Sequence, residues 1–122
     1  TLAGSRVNEE DLALMRDCIE RMAAATEFDD YRRADVRFHI AIAQATRIPR
    51  LVALMTEVQA EVSEVIAHIA HPPEVLDHSN AEHAEMADAF ERHDGDAAVD
   101  VLCRHLVGTE HILVGLFPPG HA

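Results

Sequence analysis

Apolar residues recur along most of the chain at intervals of three and four residues, the spacing of one face of an α-helix. This pattern predicts five helical segments, which cover approximately residues 8–25, 28–46, 49–70, 79–94 and 96–116. Because the turns between them are short, neighbouring helices should run antiparallel. We therefore predict an all-α fold, an antiparallel helical bundle of five helices, or of six if residues 1–6 end an earlier helix.

Residues at the ends of these segments indicate how the helices begin and stop. Asn8 suits an N-cap, and Asp11 three residues later gives a box-like capping arrangement. Prolines at 72–73 should end the third helix. Gly95 suits a left-handed residue at the end of the fourth helix, and Asp96 would then cap the fifth.

Length and charge restrict what the domain could do. The chain has 122 residues, enough for one domain with a core, and a net charge of −12 with neutral histidines. A surface this acidic repels phosphate, so the chain itself should not bind nucleic acid. No apolar run reaches the ~20 residues of a membrane span. The chain has too few cysteines for a disulfide framework, so we expect a cytoplasmic protein. Because it begins at Thr1 without a methionine, we also expect it to be part of a longer protein.

Four polar residues occupy positions that the apolar stripes assign to the core. Asp35 and His39 are one turn apart on one face of the second segment. His83 and His105 fall within the apolar series of the fourth and fifth segments. These two histidines lie roughly 15–18 Å before and after the turn at Gly95, at ~1.5 Å per residue. An antiparallel hairpin therefore places them side by side, with Asp35 and His39 on a helix across the bundle.

A buried carboxylate with three imidazoles is costly in an apolar interior unless the groups are paired or bound to a metal. One divalent cation would satisfy all four; this donor set suits zinc first, with nickel or manganese as alternatives. A metal-free hydrogen-bonded network is the other interpretation. Five other histidines are predicted to lie on a wet helix face, in the connection before the fourth helix, at a helix end or in the tail: His68, His71, His78, His93 and His121. His111 is on the fifth helix but two-thirds of a turn away from His105.

These residues also carry a resemblance to a known family. The stretch Asp35–His39, with the sequence DVRFH, resembles the D-x-x-F-H helix of the FCD domain, the C-terminal domain of GntR-family bacterial transcription regulators. The stretch Glu82–Leu106 is similar to the closing hairpin of that family. Where the family usually has a Gly-Asn turn, this chain has Arg47 and Ile48. Members of this type hold a metal under an effector pocket with an Asp and three His, which implies the ligands Asp35, His39, His83 and His105.

The resemblance implies a regulator that dimerises, binds a small organic acid at the metal and repositions its DNA-binding domains. Residues 1–122 would then form a single effector-binding and dimerisation domain, and DNA would be contacted only through a winged helix–turn–helix domain absent from this chain. Four arginines are candidates for meeting the carboxylate of the effector, although solvation of an exposed face is the simpler role for each: Arg32, Arg33, Arg37 and Arg104.

Two other functions are compatible with the pattern. A helical metallohydrolase could use the same metal to activate water, and a metal-free dimerisation module would use no metal. His93 and Asp94 match the His-Asp dyad of HD-type phosphohydrolases in residue type. Their position at a helix end beside Gly95 is better explained by a solvent-exposed helix terminus than by a buried pair of metal ligands. We expect a sensor and not an enzyme, because the sequence offers no convincing general base beside the metal.

Overall fold

The computed structural model describes residues 7–66 and 73–116, and the side chains of residues 7–64 and 74–105. Within these ranges the chain is helical with no strand, which confirms the all-α prediction. The five helices are α1 (Glu9–Ala24), α2 (Phe28–Ala45), α3 (Pro49–Ile66), α4 (Pro73–Glu91) and α5 (Gly95–Leu116). The expected earlier helix at residues 1–6 and the expected end of the third helix near residue 70 lie outside the described residues. No described helix is both long enough and apolar enough to cross a bilayer.

The helices pack in the order α3, α2, α1, α4 and α5, so α1 lies in the middle. Among the described residues, helix backbones approach closely only between neighbours in this order. Met15 of α1, Phe38 of α2 and Met86 of α4 are almost completely buried between them. Burying each such side chain contributes roughly 1.5–3 kcal/mol. Because α2 does not pack backbone to backbone on α4 or α5, side chains must fill the space that separates them.

The predicted capping box at the start of α1 is confirmed. The Asn8 side chain accepts a hydrogen bond from the Asp11 backbone amide at 2.9 Å. The Asp11 carboxylate in turn accepts one from the Asn8 amide at 3.0 Å. Two amides that the helix leaves without intrahelical partners are thereby satisfied.

The turn between α2 and α3 contains a residue in a left-handed conformation. Arg47 has φ 62°, a region that costs a residue with a Cβ roughly 1–2 kcal/mol. Its guanidinium makes two bonds to Asp11, at 2.9 and 3.1 Å. Arg47 thus occupies a backbone position suited to glycine and uses its side chain to tie this turn to the start of α1.

Glycine at position 47 should be better tolerated than alanine. Arg47→Gly and Arg47→Ala both remove the ion pair with Asp11, but only glycine also relieves the left-handed strain. We expect the glycine variant to be more stable by about 1 kcal/mol in urea denaturation. An alanine variant of equal or greater stability would contradict this assignment of strain.

The fourth helix begins six residues earlier than the sequence pattern predicted, at Pro73 and not near Ser79. Proline is well suited to the first helical position, because its missing N–H has no intrahelical partner there in any case. The prediction treated the double proline only as the end of the third helix. As a consequence, His78 lies on α4 and not in the connection before it.

The turn between α4 and α5 also differs from the prediction. Gly95 is the first residue of α5, and the left-handed residue is His93, with φ 56°. The cap is Asp94, whose carboxylate accepts from the Ala97 amide at 3.0 Å, and Asp96 lies in the first turn. Asp94 and Asp96 are equally good caps by residue type, so only the position of the turn decides between them.

Helix α3 turns an apolar face away from the other helices. Leu51, Leu54 and Val58, here called the α3 apolar face, are 40%, 55% and 43% exposed. Gln59, by contrast, is buried. The sequence predicts an apolar stripe on this helix, but these three residues of the stripe lie on the outside of the described fold.

Candidate metal centre

Four side chains from α2, α4 and α5 converge in the interior of the bundle. His83 Nε2 lies 3.2 Å from Asp35 Oδ1 and 3.3 Å from His105 Nε2. His39 Nε2 lies 3.2 Å from the same Asp35 oxygen. The three histidines are buried, and one nitrogen of each lies within 4.8 Å of the others. We call Asp35, His39, His83 and His105 the Asp–His cluster; the structure brings together all four side chains that the sequence assigned to the metal.

Hydrogen bonds on the outer side of the cluster determine where two imidazoles carry their proton. His83 Nδ1 faces Asn80 Oδ1 at 3.2 Å, and the Asn80 amide nitrogen donates to the Ile19 carbonyl at 3.1 Å. His105 Nδ1 faces a carboxylate oxygen of Glu82 at 3.2 Å. Both partner atoms are acceptors, so both Nδ1 atoms carry the proton. Both Nε2 atoms consequently direct lone pairs into the cluster.

Asp35 adds a further electron-pair donor to the centre. Its Oδ2 contacts the guanidinium of Arg32. Its Oδ1 is buried and makes no hydrogen bond among the described residues, although two imidazole nitrogens are close to it. Burial opposes ionisation of this carboxyl, whereas the ion pair with the Arg32 guanidinium at Oδ2 favours the charged form.

The imidazoles of His83 and His105 are neutral at pH 7. Burial lowers the pKa of His83, although the nearby Asp35 acts in the opposite direction. Burial, together with the neighbouring imidazoles of His83 and His39, lowers the pKa of His105 to about 4. The cluster therefore offers an ionised carboxylate and deprotonated nitrogens, the forms in which these groups bind metals.

The arrangement fits a small divalent cation. His83 Nε2 lies between the other two donors, 3.2 Å from Asp35 Oδ1 and 3.3 Å from His105 Nε2. A tetrahedral site with bonds of ~2.0–2.1 Å places neighbouring donors about 3.3 Å apart. The Asp–His cluster thus meets a metal's requirements both in its donor atoms and in their spacing.

Phe38 forms an apolar wall beside the cluster. It is fully buried, and its ring centroid lies 4.6 Å from that of His83 and 5.6 Å from that of His39. Packing against this ring restricts the orientations of both imidazoles. The same residue that joins α2 to the core therefore also helps to fix two of the donors.

Three of the four arginines considered for effector contact are exposed, namely Arg33, Arg37 and Arg104. The solvated role expected for Arg32 was wrong, because its side chain is only 12% exposed. Arg104 pairs with Glu85 at 2.7 Å, and both side chains are more than half exposed. Arg37 is exposed and lines an open cleft of about 900 Å³ beside the α1–α2 turn, which no residue of the Asp–His cluster lines. A role in effector binding stays a prediction for both residues.

Sequence reasoning did not identify the outer partners of the cluster. Asn80 is three residues before His83, so helical spacing alone could have indicated the contact. Glu82 is adjacent to His83 in sequence but contacts His105 on the next helix, which no spacing rule reveals. Of the histidines outside the cluster, His78 and His93 are exposed. The side chains of His68, His71, His111 and His121 lie outside the described residues.

Comparison with known proteins identifies the family of this sequence. No curated protein matches the sequence. The family model of the FCD domain matches residues 1–108, a stretch that contains the whole Asp–His cluster. FCD domains are regulatory, ligand-binding domains of GntR-type transcription regulators. The chain therefore belongs to the FCD domain family.

Proposed function

We propose that this domain binds a small organic acid at a buried divalent metal and thereby controls DNA binding by a winged helix–turn–helix domain outside this chain. The Asp–His cluster would hold the metal, with zinc preferred over nickel or manganese. The observation that carries the proposal is the convergence of one carboxylate oxygen and three imidazole nitrogens in the interior, a donor set that one cation would satisfy together. The regulator would act in the cytoplasm as a homodimer.

A metal in the cluster would favour an anionic ligand. Because imidazoles bind a metal as neutral ligands, Asp35 is the only one of the four donors that offsets the charge of the cation, and the metal with its four donors carries a net charge of about +1. A metal that accepts five or six ligands, as zinc, nickel and manganese can, would keep coordination positions beyond the four protein donors open to water or to a carboxylate. A carboxylate that binds one arrangement of the helices more tightly than another would shift the DNA-binding equilibrium.

Regulatory binding explains the cluster better than hydrolysis does. A metallohydrolase commonly places a general base beside its metal-bound water to take up the proton. Glu82 is a buried carboxylate next to the cluster, but it contacts the outer nitrogen of His105 and so lies behind that ring. Glu82 is therefore placed to orient the imidazole of His105 as a metal ligand and not to take a proton from metal-bound water. Turnover of phosphoesters or amides by the zinc-loaded domain, lost in His83→Ala, would instead favour the metallohydrolase.

Calorimetric titration with citrate, malate and acetate tests the proposed ligand class. We expect at least one of these acids to bind the zinc-loaded domain at least about tenfold more tightly than the chelator-treated domain, since each tenfold step needs about 1.4 kcal/mol from the metal–carboxylate contact. His78→Ala, which changes an exposed histidine on α4, should bind as the wild type does. Equal affinity with and without metal would contradict binding at the cluster.

Acid should destabilise the metal-free domain between about pH 6.5 and about pH 4. The pKa of His105 is about 4 in the folded protein and 6.5 for an unperturbed histidine. The unfolded chain therefore takes up the proton first, and stability present above pH 6.5 is lost as the pH falls. We expect a loss of about 2 kcal/mol between pH 7.5 and pH 5 in urea denaturation with chelator present.

The variant His105→Gln provides the control for this titration. It removes the imidazole with the strongly lowered pKa, so most of the decline attributed to His105 should disappear. A wild-type stability that is flat over this range, or an unchanged decline in the variant, would show that His105 is not the group responsible.

A further inference from the structure

Arg32 connects the Asp–His cluster to α3. Its Nη1 donates to Asp35 Oδ2, on the side of the carboxylate that faces away from the metal-binding oxygen. Its Nε donates to the Ser63 hydroxyl at 3.0 Å, and its Nη2 donates to the Gln59 side-chain oxygen at 2.9 Å. Arg32 is only 12% exposed. One planar guanidinium therefore spans from a candidate metal ligand to two residues of the neighbouring helix.

Helix α3 has few other attachments within the described residues. Its backbone approaches only that of α2, and its apolar face points away from the bundle. The residues that Arg32 contacts, Gln59 and Ser63, are one turn apart on the inner side of α3. Arg32 consequently holds α3 at a defined rotation against α2 through directional bonds, where apolar contact alone would allow sliding.

We propose that Arg32 is a positioning residue that orients Asp35 for the metal and couples metal binding at the Asp–His cluster to the order of α3. This inference rests on the proposed function. A cation at Oδ1 would immobilise the Asp35 carboxylate, and an immobile carboxylate fixes the guanidinium that binds Oδ2. With Arg32 already ordered, its bonds to Gln59 and Ser63 form at a smaller entropic cost. Metal binding would thus reduce the motion of α3 relative to α2.

Hydrogen exchange of residues 55–64, measured with and without Zn²⁺, tests the transmission. In the wild-type domain Zn²⁺ should slow amide exchange in this segment by roughly fivefold or more. The double variant Gln59→Ala with Ser63→Ala removes the side-chain acceptors on α3 and leaves Asp35 and Arg32 in place. It should bind Zn²⁺ within about threefold of the wild type and lose most of that slowing.

Two further variants separate positioning from a general structural role. Arg32→Gln should weaken Zn²⁺ binding by about 10–100-fold, the usual effect of losing an outer partner of a metal ligand. Arg33→Gln, an exposed neighbour, should change neither affinity nor exchange. Unchanged protection of α3 in the double variant, or unchanged affinity in Arg32→Gln, would overturn the inference while leaving the metal site intact. Failure of the wild-type domain to bind Zn²⁺ would instead overturn the proposed function, and this inference with it.

Discussion

Replacing His83 and His105 with alanine is expected to abolish transition-metal binding and the stabilisation that comes with it. A ligand that binds only the folded state at a thousandfold excess over its Kd stabilises that state by about 4 kcal/mol. For a domain of this size, saturating Zn²⁺ should therefore raise the wild-type Tm by roughly 10–20 °C. The double variant should show no such rise, because two of the four donors and both of the fixed lone pairs are gone.

Comparing each protein with and without Zn²⁺ keeps this test independent of the packing change that the alanines cause. His78→Ala provides the matched control, because this histidine lies on α4 as His83 does but is exposed. It should retain full metal content and the full rise in Tm. If the control loses binding, or the double variant keeps it at wild-type stoichiometry, the metal is held somewhere other than the Asp–His cluster.

Truncation of Phe38 should have the second-largest effect, on stability and metal affinity together. The ring is fully buried and packs against the imidazoles of His39 and His83. Phe38→Ala should cost about 3–5 kcal/mol in urea denaturation with chelator present, through lost burial and the cavity left behind. Because both imidazoles also lose their supporting wall, Zn²⁺ affinity measured by competition with a chelating dye should fall by about 10–100-fold.

Two comparisons make this prediction specific. Phe38→Leu keeps most of the volume, so it should cost less than about 1.5 kcal/mol and leave a smaller loss of affinity. Leu14→Ala changes an exposed residue of α1 and should stay within about 0.5 kcal/mol of the wild type, with unchanged affinity. A Phe38→Ala domain that is destabilised but binds Zn²⁺ normally would show that the Phe38 ring stabilises the core and does not help to orient the imidazoles for the metal.

The placement of the cluster illustrates what helical spacing is able to predict. Asp35 and His39 share a face because they are four residues apart, and His83 and His105 share a level because a short turn separates their helices. Both relations depend only on helix geometry and on the existence of the hairpin. An error of a residue or two in the turn, where His93 and not Gly95 is left-handed, shifts that level by only ~3 Å.

The features that sequence reasoning missed depend on relations between helices. The apolar spacing of α3 predicts a stripe but does not say which side of the helix meets the bundle, and the structure buries Gln59 while Leu54 is exposed. Arg32 resembles any polar residue near a helix start until the Ser63 hydroxyl is seen beside it. Contacts of this kind arise from packing rotation and rotamer choice, which periodicity does not encode.

An anomalous-scattering map at the zinc absorption edge, from crystals of protein purified without chelator, tests the central claim most directly. We expect one strong peak from an ion coordinated by Asp35 Oδ1 and by a nitrogen of each histidine in the Asp–His cluster, with bonds of ~2.0–2.2 Å. An ordered cluster without a peak, or a peak confined to surface histidines, would contradict it.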